Sequence, residues 1–104
     1  MATPLVVFIR QAWEIGVELS RHTDGTLAIR TTKAADTVAR ALRSRDAEVL
    51  QLFDWTRARV EDPQPCLLCG QPAILRDPVE HRPAHKVCVD ALIRVPTEPR
   101  KGHQ

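Results

Sequence analysis

Cys66-Leu67-Leu68-Cys69-Gly70 and, further on, His85-Lys86-Val87-Cys88 hold all three cysteines of the 104-residue chain. Two thiolates separated by two residues can wrap one metal ion in a tight knuckle, and Gly70 supplies the positive φ such a turn often needs. A histidine and a cysteine three apart on a helix project from one face, so His85 and Cys88 can supply the remaining two ligands. The spacing predicts a Cys3His zinc site of Cys66, Cys69, His85 and Cys88.

His81 is the alternative to His85, because with Cys66 and Cys69 an HxxxH pair would make a Cys2His2 set and leave Cys88 spare. Pro83 lies between the two histidines and breaks the continuous helix such a pair would use, which favours His85. Around the ligands the pattern predicts a treble-clef-like finger. A knuckle leads into a hairpin through Ala73, Ile74, Leu75 and Arg76 that turns near Asp77-Pro78. A helix after Pro83 then packs through Val87, Ala91 and Leu92 and stops before Pro96.

A structural metal suits a chain this short, since very small units rarely bury enough apolar surface to hold a shape unaided. Hydrophobic residues make up 43% and charged residues 27%, the balance of a globular protein and not of a disordered one. An odd number of cysteines argues for a reducing compartment over a disulfide scaffold. No run is long enough to span a membrane and Leu5 to Ile9 lacks the pattern of a signal peptide, so the expected location is cytoplasmic.

Upstream, Thr3-Pro4 opens a predicted helix with Leu5, Phe8, Ile9, Ala12 and Trp13 on its apolar face and Gly16 as its stop. The period then changes to two: Val17, Leu19, Leu27 and Ile29 face inward around the turn signal His22-Thr23-Asp24-Gly25. A second helix, capped by Thr31 or Thr32, presents Ala34, Ala35, Val38, Ala41 and Leu42. A third, capped by Ser44 or Asp46, carries Val49, Leu50, Leu52, Phe53 and Thr56 towards Val60, with Arg57 and Arg59 near the negative end of its dipole.

The stretches Ile9 to Leu19, Gly25 to Ile29 and Ala41 to Phe53 resemble the tubulysin-type N-terminal docking domain of hybrid peptide and polyketide synthetases. The resemblance covers about half the chain and implies an αββαα unit, often homodimeric, whose exposed hairpin receives a short acidic segment of a protein partner. Carried onto this chain, it makes Arg21, Arg30 and Lys33 the candidate contacts for carboxylates. The chain departs from that family in its second half, where a proline-punctuated Asp62-Pro63-Gln64-Pro65 leads straight to the cysteines.

The fold expected from the whole sequence is α+β. A docking-like unit over residues 1–61 is followed by a linker at 62–65, a zinc finger over 66–95 and a flexible tail at 96–104. The function expected is that of a non-catalytic docking adaptor. Four protein ligands close a zinc ion's coordination, and Asp77 to Pro83, although similar to an HNH nuclease segment, lacks the later asparagine and second histidine. The second reading is a small nucleic-acid-associated accessory protein of plasmid or phage replication. Arg76, Arg82, Lys86, Arg94, Arg100 and Lys101 would supply a basic stripe, though the net charge is only +2.

Overall fold

A computed structural model describes residues 3–94, and the expected tail at 96–104 lies outside them. The fold is α+β, with the expected order of helix, hairpin and two helices. The second half differs, because the segment 72–76 pairs back to residues 59–65 with the knuckle at the tip of that hairpin, not ahead of it, and Asp77-Pro78 starts a separate loop before a short helix. Helix α1 spans Leu5–Glu14 and buries Leu5, Val6, Ile9 and Ala12. Thr3 does not cap it. Pro4 is the N-cap residue, and the free Leu5 N–H donates instead to Glu80 Oε1 at 2.7 Å, across 75 positions of sequence.

At its other end α1 stops where Gly16 takes φ +97°. Val17 N–H then reaches back to Ala12 O at 3.0 Å and Gly16 N–H to Trp13 O at 3.1 Å, closing the helix in a Schellman turn. Trp13, expected in the core, is 50% exposed. It stands on the last turn and overhangs the rim of the core, beside Glu18 and Leu92.

Strands β1 (Glu18–Arg21) and β2 (Leu27–Arg30) form the hairpin, in the register Glu18↔Arg30 to Arg21↔Leu27. Val17, Leu19 and Leu27 are buried as the alternation requires. Asp24 Oδ1 accepts from both the N–H and the hydroxyl of Thr26, and Gly25 takes φ +91°, so the turn closes on the residues that signal it.

A 3-10 turn at Lys33–Ala35 precedes α2 (Asp36–Arg43), and neither Thr31 nor Thr32 caps it. Ala35, Ala39 and Leu42 are buried there, while Ala34 and Ala41 face solvent. Helix α3 (Asp46–Gln51) is shorter than its pattern suggests. Trp55 Nε1 donates to Leu52 O at 2.8 Å and Asp54 caps a separate 3-10 turn at Trp55–Arg57, so the chain leaves the helix well before Val60.

Val60 belongs to β3 (Arg59–Pro65), which pairs antiparallel with β4 (Pro72–Arg76). Residues 62–65, expected as a linker, are therefore the second half of a strand. Strands tolerate proline at an edge or a bulge, and here the register shifts between Val60 and Gln64. Arg76, buried to 5% exposure, fills that irregularity: its guanidinium donates to Ala73 O at 3.0 Å and to Asp62 O. It is thus withdrawn from the basic stripe in which the sequence placed it.

The loop after β4 is built on Asp77, 1% exposed. Its Oδ1 accepts from the N–H groups of Val79 and Glu80 at 2.9 and 2.7 Å, and its Oδ2 from that of Arg82 at 3.0 Å. Helix α4 (Lys86–Asp90) follows, with His85 at the N-cap position but making no side-chain cap bond, and ends well short of Pro96. It buries Val89, whereas Val87, expected in contact, is 72% exposed and Ala91 also faces solvent.

Strand β5 (Ile93–Arg94) then pairs in parallel with β1, through Leu19↔Ile93 and Ser20↔Arg94, giving a three-stranded sheet in the order β2-β1-β5. The N-terminal residues Leu5, Leu19 and Leu42 share one hydrophobic core with Cys66, Ala73, Ala84, Val89 and Ile93. Glu80, besides capping α1, meets Arg45 at 3.4 Å, and Arg10 donates to Leu68 O at 2.7 Å. The two halves of the sequence are packed and hydrogen-bonded to each other at several points.

Candidate metal centre

The knuckle forms because Cys66 O accepts from Gly70 N–H at 2.9 Å, with Gly70 at φ +80°. Cys66 N–H pairs with Gln71 O at 2.8 Å, seating the knuckle as the tip of the β3-β4 hairpin. On the other side His85 O accepts from Cys88 N–H at 3.1 Å, so the first turn of α4 fixes the His85 and Cys88 side chains together.

These two local structures bring the ligand atoms of Cys66, Cys69, His85 and Cys88 all within 4.8 Å of one another. His85 Nδ1 lies 3.3 Å from Cys69 Sγ and 3.7 Å from Cys88 Sγ. A tetrahedral ion with metal–sulfur bonds of about 2.3 Å and a metal–nitrogen bond of about 2.0 Å would set those edges near 3.5 Å. The group can hold a metal ion.

The far side of the imidazole completes the fit, because His85 Nε2 lies 2.9 Å from Pro72 O. With Nε2 protonated and donating to that carbonyl, Nδ1 presents its lone pair to the three sulfurs; such outer contacts fix both tautomer and ring orientation in metal sites. His81 is not part of the group. It sits in the Asp77 loop at φ +58°, exposed to solvent, with its N–H on Asp77 O.

The thiols differ in acidity. Burial raises that of Cys66, but the backbone N–H groups of His85, Leu68 and Cys69 oppose it and bring the group down to about 6. Burial first, and then the neighbouring sulfurs of Cys69 and Cys66, push Cys88 up to about 11. Without a metal, Cys66 is thus the more readily ionised of the two and Cys88 the one that holds its proton more tightly. Metal binding must expel the Cys88 proton, so affinity rises with pH and falls further as the pH drops through about 6, where Cys66 also protonates. Calorimetric titration with zinc in two buffers of different protonation enthalpy should record the release of about one proton or more per ion at pH 7.5; no release would contradict this assignment.

The hairpin residues are not gathered as the ligands are. Arg21 stands next to the turn, opposite Leu27, and its guanidinium lies 5.4 Å from the centre of the Phe53 ring. Arg30 is at the open end of the hairpin, exposed, in an ion pair with Glu18 at 3.5 Å. Lys33 begins the 3-10 turn beyond it and is also exposed. Arg21 and Arg30 thus mark opposite ends of the hairpin, about 10 Å of strand apart.

Sequence reasoning missed the outer contacts of the centre: Pro72 O behind His85, and Arg10 on Leu68 O within the knuckle. Both acceptors are backbone carbonyls, which carry no residue signature. The role of Asp77 had a partial signal, since an Asp-Pro pair commonly initiates a turn. No helix among the described residues is long and apolar enough to cross a membrane. Compared with protein-family models, with curated proteins and with solved structures, the chain finds no significant match.

Proposed function

We propose that this chain is a non-catalytic protein-interaction module, an adaptor whose shape is held by a structural zinc ion. The observation that carries the reading is the convergence of three sulfurs and one oriented imidazole within 4.8 Å. That donor set is the soft, tetrahedral kind that selects zinc, and four protein ligands leave no open position for an activated water. The ion's work is therefore to pin the knuckle to the start of α4.

The interaction half of the proposal draws on the docking-domain resemblance and on the sheet. With β5 covering one side of β1, β2 is the edge of the three-stranded sheet, flanked by a groove of about 170 Å³ that Ile29, Thr31, Asp36, Ala39, Arg40 and Arg43 line, with Arg40 paired to Asp36 at 2.9 Å. An extended acidic segment of a partner could add to such an edge with Arg21, Arg30 and Lys33 along its path, in the cytoplasm and with the adaptor as a homodimer. The nucleic-acid accessory reading has less in its favour. Arg76 is consumed inside the hairpin, and Lys86 is paired with Asp90 at 2.7 Å.

Elemental analysis of the purified chain should give about one zinc per chain, falling to a small fraction in Cys66→Ser. Reversing both hairpin charges, in Arg21→Glu with Arg30→Glu, should abolish recovery of a partner that the unaltered chain captures. A metal-free folded chain would sink the first half of the proposal, and unchanged recovery the second.

A further inference from the structure

Most arginines of the described residues find partners inside the fold. Arg10, Arg43 and Arg76 donate to carbonyls, and Arg30, Arg40 and Arg45 pair with carboxylates. Arg21 and Arg57 are different. Neither guanidinium makes a hydrogen bond or an ion pair within the described residues, yet both line the same groove. The groove measures about 360 Å³ and opens where the end of β1, the end of α3 and the Asp77 loop meet.

Its walls are mixed. Leu50 and the buried Pro78 give it an apolar side, Gln51 adds an amide, and Asp54 adds one carboxylate. Asp54 Oδ1 accepts from Thr56 N–H at 3.0 Å as the cap of the 3-10 turn, and its carboxyl is held below the ordinary value first by its bonds from Thr56 and then by the charges of Arg21 and Arg57. Two guanidinium groups facing one carboxylate leave a surplus of one positive charge beside an apolar wall. Arg21 is also preorganised, its side chain laid over the Phe53 ring at 5.4 Å.

We propose that this groove binds a glutamate or aspartate side chain borne on an extended peptide of a partner protein, with Leu50 and Pro78 receiving an adjoining apolar side chain. The proposal rests on the interaction-module reading and moves its centre from the row Arg21, Arg30 and Lys33 to the pair Arg21 and Arg57. A planar carboxylate suits two guanidinium donors, and a single carboxylate matches the single surplus charge. A run of phosphates does not, because Asp54 stands in the groove and would repel the second of two adjacent phosphates.

The test is a titration of the zinc-loaded, isotope-labelled full chain followed by NMR. Three probes are used: an end-capped octapeptide of alternating leucine and glutamate, the same peptide with glutamine for glutamate, and inorganic phosphate. The glutamate peptide should move the amide signals of Leu50 and Gln51 and the side-chain signals of Arg21 and Arg57 to saturation. The glutamine peptide and phosphate should bind about tenfold more weakly or not at all. Arg57→Gln, at an exposed turn, should weaken the glutamate peptide about threefold while leaving the rest of the spectrum in place.

Equal shifts from both peptides would overturn the proposal, as would phosphate matching the glutamate peptide. A peptide that moves Ile29 and Lys33 but leaves the groove still would remove the groove and keep the adaptor reading. No shift from any probe, in a chain that also recovers no partner, would remove the adaptor reading together with the groove.

Discussion

Removing the metal with a chelator is expected to unfold the N-terminal hairpin along with the cysteine-bearing segment, in one cooperative transition. Structural zinc contributes on the order of 10 kcal/mol or more to small metal-held folds, as much as the ~5–15 kcal/mol that stabilises a whole domain. A self-sufficient finger would confine that loss to its own residues. Here the hairpin sheet takes its third strand from Ile93–Arg94, five positions beyond the candidate ligand Cys88. Helix α1 takes its N-terminal acceptor from Glu80, and Val89, Leu92 and Ile93 sit in the same core as Leu5 and Leu19. Hydrogen exchange at Leu19 and Ile29 amides reads the outcome: protection lost at the same chelator concentration as protection at Cys88 supports a single unit. Persistent protection in the hairpin of the metal-free chain would show instead that residues before Arg59 hold themselves.

The second large effect is expected at a residue with no part in metal binding. Asp77→Ala removes the acceptor of three backbone N–H groups, those of Val79, Glu80 and Arg82, at a position 1% exposed. An unsatisfied buried donor costs about 1–3 kcal/mol, and water entering the collapsed loop recovers part of that, so a net loss of about 3 kcal/mol is expected in chemical denaturation. The same loop carries Glu80, so the substitution should also loosen α1 by displacing its capping carboxylate. Asp77→Asn separates the contributions. Its single oxygen can still accept from Val79 and Glu80, while its amide nitrogen faces the Arg82 N–H, and the loss should be about half as large. Equal stability of all three chains would mean that the loop draws its shape from elsewhere.

The part of the fold legible in the sequence is the part specified by neighbours. Gly16 ending α1, Asp24-Gly25 closing the hairpin and Gly70 shaping the knuckle each act through backbone geometry within a few residues, and each stands where its residue type requires. The clustering of Cys66, Cys69, His85 and Cys88 was legible for the same reason, because two short spacings predefine two pairs that the fold then brings together. What escaped is what depends on distant chain. Trp13 has the helical phase of a core residue, yet it lies at a rim whose far side is Leu92. The prolines at 63 and 65 read as a linker, although a strand whose residues are all exposed accommodates them. Arg76 has the composition of a surface cation, and its burial follows from carbonyls exposed by an irregular register that no local pattern announces.

The contact between Leu5 and Glu80 bears on how the chain matures as it is made. A ribosome delivers the first helix long before the carboxylate that caps it, and the edge of Glu18–Arg21 stays bare until Ile93 emerges. Closing so long a loop is slow compared with local helix formation. Nascent chains will therefore carry an uncovered apolar sheet until Ile93 emerges, and a metal taken by the four-residue group would be captured only when the late-arriving His85 and Cys88 join Cys66 and Cys69, as the step that commits the polypeptide to its final form.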